Sequence, residues 1–305
     1  MKSSVVVGLG EVLWDVYPDG KHLGGAPANV AIHAHRLGAE GIVASAVGCD
    51  GLGGEIIAAL EEKGLDALYV QRRSPRPTGT VGVTLNEKGV PSFACSKDVA
   101  FDYIEWNDDL ERLADRAAAV VVGTLGQRNK VSRRTIQEFI SRAEQAIRVF
   151  DVNFRGWNEA TERIVHETLI HTDILKLNEN EMGTMRKALG KERLGVVPFL
   201  DWLVELNGLR LVALSLGSRG CLLTDGKERV LSPGIRIQPV DTTGCGDGFA
   251  AGLIVKVFEG ASLEETAVFA NTVGAFLATM PGATPMYSQE DLDRFQKKYS
   301  PNNRK

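Results

Sequence analysis

The chain has 305 residues, a length that fits either two domains or one α/β domain with insertions. Hydrophobic residues make up 44% and charged residues 24%, proportions that exclude fibrous, disordered and membrane-embedded classes. A net charge of -4 gives no long-range attraction to nucleic acid or anionic lipid. Composition therefore favours small molecules as partners and predicts neither nucleic-acid nor membrane binding.

The cysteines indicate a reducing compartment. They lie far apart without a CxxC pair, which argues against a disulfide framework and a structural zinc site. The apolar run near the amino terminus is too short for a signal-peptide core, so we expect a cytoplasmic protein. The four residues are Cys49, Cys95, Cys221 and Cys245.

One uncharged stretch, residues 266–289, is long enough to cross a bilayer. It contains Asn271 and prolines at 281 and 285, which are poorly suited to a spanning helix. The composition predicts a buried helix that ends near Met280 and is followed by an irregular loop.

Short apolar runs rich in β-branched residues alternate with segments of helical period. This alternation is typical of a mainly parallel sheet covered by helices, a doubly wound α/β fold. The predicted strands are 5–9, 42–47, 118–122, 149–152, 174–177 and 211–216. The predicted helices are 54–63, 132–146, 159–170, 179–188 and 198–206.

Residues 79–96 depart from this pattern. Apolar and polar side chains alternate on both sides of a Glu-Lys-Gly turn, which predicts an exposed antiparallel hairpin that residues 11–17 could join. Such a small sheet has too little core to fold alone. We therefore predict one domain over 1–305, with a lid formed by about 11–23 and 70–100.

Residues 241–252 carry the strongest chemical pattern. The run Asp-Thr-Thr-Gly-Cys-Gly-Asp leads into a helix, so the glycines and the helix amino terminus would form an anion-binding hollow. Asp247 lies where a carboxylate could accept a proton from a nucleophilic hydroxyl. The structural alternative is that Asp247 only caps the helix and that the glycines only form a turn.

This run resembles the DTxGAGD signature of the ribokinase-like, or PfkB, carbohydrate kinases, with Cys245 where alanine is commoner. The resemblance implies a sugar kinase that uses ATP and Mg²⁺. It implies that Asp247 is the general base and that the amides of Gly244, Cys245 and Gly246 hold the transferred phosphate. Cys245 would then be a backbone donor rather than a nucleophile.

A second motif, Gly-Gly-Ala-Pro-Ala-Asn at 24–29, is similar to the family's sugar-binding glycine pair. The resemblance implies that Gly24 and Gly25 allow close approach of a polyol, that Asn29 hydrogen-bonds a hydroxyl, and that Asp15 accepts from the sugar. The structural alternatives are a tight turn before a helix and an ordinary strand-end aspartate.

Further motifs follow in the family's order. Asn178 and Glu181 resemble the NxxE motif, which implies water-mediated organisation of Mg²⁺, although an N-cap with helix-start acids accounts for the same residues. The resemblance also implies nucleotide contacts and a monovalent-cation site, potassium being the candidate. The implied ATP contacts are Asn178, Ser215, Gly217, Gly220, Gly244, Gly246 and Asn271. The implied cation ligands are Asp241, Thr243 and Gly282.

The sugar is predicted from residues 151–157. They follow a strand, resemble the DxNxR stretch of fructokinases, and place Arg155 where it could hold a substrate group. A salt bridge from Arg155 to Asp151 is the structural alternative. Fructose is the first choice, followed by 2-keto-3-deoxygluconate, whose carboxylate would suit Arg155, and then by ribose and nucleosides.

Two other classes of function are alternatives to a kinase. A sugar- or nucleotide-binding regulator would show damage in the 244–247 loop, and a dinucleotide oxidoreductase would need a complete glycine fingerprint. The sequence shows neither. The histidines lack metal-ligand spacing and are interpreted as solvated or structural. The exposed edges of the lid predict a homodimer paired through it.

Overall fold

Two sheets organise the chain in a computed structural model that describes residues 4–18, 20–85, 91–154 and 156–299. The strands are β1 (Val5–Leu9), β2 (Leu13–Tyr17), β3 (Gly20–Gly24), β4 (Glu40–Gly48), β5 (Val70–Arg73), β6 (Thr80–Leu85), β7 (Pro91–Cys95), β8 (Ala119–Val122), β9 (Ile147–Asp151), β10 (Ile174–Asn178), β11 (Leu211–Ser215), β12 (Gly220–Thr224) and β13 (Arg229–Pro233). The larger sheet has nine strands in the order β13-β12-β11-β10-β9-β8-β1-β4-β5. All neighbouring strands between β11 and β5 in this order pair in parallel. At the other edge, β12 pairs antiparallel with both β11 and β13.

Helices cover both faces of the large sheet. They are α1 (Ala26–Arg36), α2 (Gly51–Glu62), α3 (Asp108–Arg116), α4 (Lys130–Arg142), α5 (Glu159–Leu169), α6 (Glu179–Ala188), α7 (Val196–Asn207), α8 (Cys245–Phe258), α9 (Leu263–Leu277) and α10 (Gln289–Tyr299). Alternate strand residues face opposite layers: Val7 and Leu175 pack against the α3–α7 side, while Val6 and Ile174 pack against α1, α8 and α9. This two-sided burial confirms the predicted doubly wound α/β class.

Most predicted elements agree with the structure to within a few residues. The segment 179–188 matches α6 at both ends, because Asn178 caps it. The prediction begins α2 three residues late, since Asp50 caps that helix and accepts from the Gly53 amide at 2.8 Å. Helix α9 ends at Leu277, near the expected end. Among the described residues, no helix combines the length and apolarity that crossing a membrane would require.

A four-stranded sheet, β3-β2-β6-β7, lies apart from the large one. The hairpin β6–β7 is antiparallel, as predicted, and β2 joins it in parallel. The boundaries of the predicted lid need correction. Val70–Arg73 forms the edge strand β5 of the large sheet, next to β4, because its apolar residue Val70 packs into that core. The second segment of the small sheet therefore begins at Thr80.

Arg128 connects the small sheet to the body. Its Nε and Nη2 donate to the two carboxylate oxygens of Asp102 at 2.7 and 2.8 Å, and Nη2 also donates to the Ser96 carbonyl at 2.6 Å. Ser96 follows β7, whereas Asp102 and Arg128 belong to the body. The Asp102 side chain is only 3% exposed, so this bidentate ion pair holds Arg128 rigidly in the body. Through Arg128 it fixes the end of the small sheet at Ser96.

Candidate active site

Helix α8 begins with the residues that the sequence predicts to form an anion hollow. Gly244 is the N-cap of this helix, with φ of 75°. A Cβ at Gly244 would collide with the backbone of Ala283, so only glycine fits. Within the part of the chain that the structure describes, the N–H groups of Gly244 and Gly246 have no hydrogen-bond acceptor. Two amide donors are thus available at a positive helix terminus.

Cys245 differs from these two glycines. Its N–H donates to the carbonyl oxygen of Thr242 at 3.3 Å, so the predicted third donor has a partner inside the turn. Burial, together with the nearby carboxylates of Asp241 and Asp247, raises the pKa of the Cys245 thiol to about 12. A thiol with this pKa is a poor nucleophile, in agreement with the backbone role expected for Cys245.

Asp247 lies in the first turn of α8 and contacts helix α1. The Nδ2 group of Asn29 donates to its Oδ2 at 2.8 Å. The sequence assigned Asn29 to a sugar hydroxyl, whereas the structure gives it the Asp247 carboxylate as a partner. This bond fixes one oxygen of Asp247.

The glycine pair at the start of α1 brings two backbones together. Gly25 has φ of 111°, and a Cβ there would collide with the carbonyl oxygen of Glu11. A Cβ at Gly24 would collide with the carboxylate of Asp15. The pair therefore lets the half-buried Asp15 lie directly over the backbone that leads into α1.

A cavity of about 200 Å³ lies between the small sheet and the loop before α8. Its volume suits a small ligand, because it is below the range of drug-sized sites. His22, interpreted from the sequence as solvated or structural, lines this cavity, and Asp247 is not among its lining residues. The lining is Asp15, Tyr17, His22, Asp241, Thr243, Gly282 and Ala283.

The structure brings Asp241, Thr243 and Gly282 together. The Asp241 Oδ1 accepts from the Thr243 amide and Oδ2 accepts from the Gly282 amide, each at 2.9 Å. Burial alone would raise the pKa of Asp241, but these hydrogen bonds outweigh it and lower the pKa. Among the described residues, no cluster of three or more His, Cys, Asp or Glu side chains could hold a metal ion.

His33 fastens the loop that contains Gly282. From the middle of α1, its Nε2 donates to the Ala283 carbonyl oxygen at 2.9 Å, and its Nδ1 accepts from the Tyr287 hydroxyl at 3.3 Å. This tautomer follows from the carbonyl, which can only accept. Burial lowers the pKa of His33 to about 4, so the imidazole is neutral near pH 7.

Asn178 and Glu181 form a capping box at the start of α6. Asn178 Oδ1 accepts from the Glu181 amide at 3.0 Å, and Glu181 Oε2 accepts from the Asn178 amide at 2.7 Å. The structural interpretation of this motif is therefore confirmed. The same bonds hold both side chains in fixed orientations at the carboxyl end of β10.

The predicted nucleotide residues lie along the neighbouring strands. Ser215 is the register partner of Asn178, and Gly217 and Gly220 follow it with φ of 58° and 105°. Asn271 is buried on α9, where its Nδ2 donates to the Pro233 carbonyl oxygen at 2.8 Å. Pro233 pairs with Gly220 across β12 and β13, so Asn271 secures the strand beside this loop.

A buried ion pair that the sequence did not predict lies in the large sheet. Lys176 Nζ lies 2.7 Å from Asp151 Oδ2, and the two residues are register partners on β10 and β9. The available signal was a lysine inside the apolar run of predicted strand 174–177. Arg155, the predicted sugar-specificity residue, lies outside the described residues, whereas Asp151, its suggested partner, is bonded to Lys176.

Comparison with known proteins identifies relatives of this scaffold. The family model of the pfkB family carbohydrate kinases matches residues 12–290. An uncharacterized sugar kinase from Pyrococcus horikoshii is 32% identical over 285 residues, covering 90% of this chain and 87% of that protein. Its crystal structure in complex with ATP has a TM-score of 0.80 at 28% identity, covering 95% of this chain and 99% of that chain.

Two further relatives are named for acceptors related to fructose. Fructokinase-1 from Oryza sativa subsp. japonica is 29% identical over 318 residues, covering 95% of this chain and 96% of that protein. An ATP-dependent 6-phosphofructokinase from Thermoanaerobacterium thermosaccharolyticum is 28% identical over 287 residues, covering 92% and 85%.

Proposed function

The chain belongs to the pfkB family of carbohydrate kinases and transfers phosphate from ATP to a sugar hydroxyl, and on this premise we propose that Asp247 is the general base and fructose the sugar. The carrying observation is that Asp247 lies in the first turn of α8, beside the acceptor-less amides of Gly244 and Gly246. A base and an oxyanion site are thus adjacent on one helix start.

In the proposed reaction, Asp247 takes the proton from the sugar hydroxyl. At the same time the hydroxyl oxygen forms a bond to the γ-phosphorus, and the bond between that phosphorus and ADP breaks. The hydrogen bond from Asn29 holds the carboxylate in place for this transfer. Proton acceptance of this kind contributes roughly two to four orders of magnitude in rate. The remaining acceleration comes from alignment and from stabilisation of charge on the phosphate.

The amides of Gly244 and Gly246 hold the charge that develops on the equatorial oxygens of the phosphate. Preorganised backbone donors act strongly in a site from which water is excluded, because they need no reorientation during the reaction. The dipole of α8 adds to their effect. Cys245 joins them only by giving up its turn bond to Thr242, so we assign it the smaller share.

The ion sites are part of the proposal. Asn178 and Glu181 would hold Mg²⁺ through water, and the ion would neutralise phosphate charge when bound. Their capping bonds fix both side chains, as an outer-sphere site requires. The backbone around Asp241, Thr243 and Gly282 would hold K⁺, since both carboxylate oxygens of Asp241 already bind amides there.

For the substrates, we propose that ATP lies along the edge formed by Ser215, Gly217 and Gly220, with Asn271 supporting the adjacent strand. The sugar would lie against Asp15, Gly24 and Gly25, in reach of Arg155. Fructose is supported by the similarity to the rice fructokinase, which covers nearly all of both chains. The cavity beneath the small sheet supports its role as a lid.

Two further properties are proposed. The thiols at Cys49, Cys95, Cys221 and Cys245 are all free, which supports the reducing environment of the cytoplasm. We also propose a homodimer through the lid, because Val16 on its central strand β2 is 39% exposed. Sedimentation of the wild type and Val16→Glu would test this, and a monomeric wild type would refute it.

An acceptor screen tests the choice of sugar. ADP release would be measured with fructose, ribose, adenosine, 2-keto-3-deoxygluconate and fructose 6-phosphate in the presence of Mg²⁺-ATP. We expect the highest kcat/KM with fructose, phosphorylated at its primary hydroxyl. A higher value for any other acceptor would refute fructose while leaving the kinase activity intact.

Substitution of Asp247 tests the base. Asp247→Asn keeps the size of the side chain and its bond to Asn29, but it removes the proton acceptor. We expect kcat to fall by roughly 10²- to 10⁴-fold, with ATP affinity little changed. Asp108→Asn is the control, because Asp108 is also a first-turn acid, on α3. Equal turnover in the two variants would exclude Asp247 as the base.

A further inference from the structure

Lys176 is a buried charge in the middle of the large sheet. Its side chain is 9% exposed and that of Asp151 is 3% exposed. Charged side chains this deeply buried are rare, because losing hydration is costly, and an apolar pair of similar volume is often as stable. Stability alone therefore gives no reason for this pair.

The same two strands carry a second ion pair that serves as a comparison. Arg148 at the start of β9 donates to both oxygens of Asp173, which precedes β10, at 2.9 and 3.1 Å. The side chains of this pair are 22% and 17% exposed, so water still hydrates both charges in part. The Lys176 pair, at the opposite end of the strands, lacks this access to water. The two ion pairs therefore differ in where they lie along the same two strands and in their exposure to water.

Lys176 lies directly behind the start of α8. It shares a strand face with Ile174, which packs in the same core as α8. A Cβ built on Gly246 would lie only 3.1 Å from Nζ, so the ammonium touches the turn that carries the two acceptor-less amides. A full positive charge thus adds to the partial charge of the helix terminus.

Two of the three carboxylates that attract Lys176, those of Asp247 and Glu181, are assigned to the chemistry. Burial would lower the pKa of its ammonium, but attraction to Asp151, Asp247 and Glu181 and the hydrogen bond to Asp151 raise it. The ammonium therefore stays charged. The attraction is mutual, so Lys176 is a counterion that the Asp247 and Glu181 carboxylates share.

We propose that Lys176 is a positioning residue for phosphoryl transfer, one that supports the first turn of α8 and is the shared counterion of Asp247 and Glu181. It acts through Asp247, whose carboxylate it attracts, and through Gly246, against whose turn its ammonium lies. Asp151 holds the ammonium at this point. The inference rests on the proposed role of Asp247 as base.

The test compares Lys176→Met, the double variant Lys176→Met/Asp151→Leu, and Arg148→Met as control. In Lys176→Met we expect kcat to fall by about 10- to 100-fold with KM for ATP within about threefold, because the charge matters most in the transition state. We expect the acid limb of the kcat–pH profile to move up by about one pH unit, since the base has lost a counterion.

The double variant separates support of the reaction from support of the fold. It removes the buried charge that Lys176→Met alone would leave on Asp151, so its unfolding midpoint should rise from that of Lys176→Met toward that of wild type while kcat stays low. Arg148→Met should lower the midpoint and leave the pH profile unchanged. Recovery of turnover in the double variant, or an unmoved acid limb in Lys176→Met, would overturn the proposal. Asp247→Asn measured in parallel isolates a failure of the base assignment, because that variant would then keep its turnover.

Discussion

Acidification should weaken the fold through His33, which is buried and neutral between Ala283 and Tyr287. Its pKa falls from 6.5 to about 4 on folding. Below pH 6.5, His33 binds a proton in the unfolded chain but remains neutral in the folded chain until about pH 4. The free energy of unfolding therefore falls as the pH falls from 6.5 to about 4.

The size of this effect follows from the two pKa values. Linkage over the shift from 6.5 to about 4 gives a loss of about 2 kcal/mol between pH 7 and pH 5, and of roughly 3 kcal/mol by pH 4. His33→Gln removes the titration and keeps a neutral donor that can reach the Ala283 carbonyl. Its free energy of unfolding should therefore lack this component.

Urea unfolding of wild type and His33→Gln at pH 7, 6 and 5 measures the difference directly. Carboxylates that titrate in both proteins cancel in the comparison. We expect the stability advantage of wild type over the variant to shrink by about 2 kcal/mol from pH 7 to pH 5. A difference independent of pH would refute the assignment of a buried neutral imidazole.

Two further substitutions test the packing around the site. Gly25→Ala should lower the free energy of unfolding by more than roughly 3 kcal/mol, because the new Cβ would collide with the Glu11 carbonyl oxygen. Gly38→Ala is the control and should cost about 1 kcal/mol, because Gly38 has φ of 94° but open space around its Cβ. Equal costs in urea unfolding would contradict the close approach to Glu11. Arg128→Met should cost about 3 kcal/mol because it leaves Asp102 buried and uncompensated, and a cost no larger than that of an exposed-pair variant such as Arg112→Met would contradict this.

The sequence predicted the parallel part of the fold well, because strands buried on both faces are continuous apolar runs. Helix α6 was predicted at both ends, since its Asn178–Glu181 capping box is local in sequence. The edge strands β5 and β13, and β12 beside β13, were missed. Each is four or five residues long and is defined by its pairing with a neighbour rather than by its own pattern, and β5 and β13 also have exposed polar positions.

The sequence predicted the start of α8 better than it predicted the contacts that join this start to distant parts of the chain. The glycines and Asp247 lie within one short run, whose local pattern already indicates a helix start and an anion hollow. The bond between Asn29 and Asp247 joins residues 218 positions apart, and no spacing rule reaches that far. Lys176 was visible as a lysine in an apolar strand, but its partner became clear only from the register of β9 against β10.

The ion pair between Lys176 and Asp151 has an evolutionary consequence. A change at either position alone strands a charge in the core, so a lineage can leave this arrangement only by passing through a damaged intermediate or by changing both positions together. The two positions should therefore vary as a unit among descendants of a common ancestor. Chains that lost both charges should be found mainly where selection for turnover was relaxed.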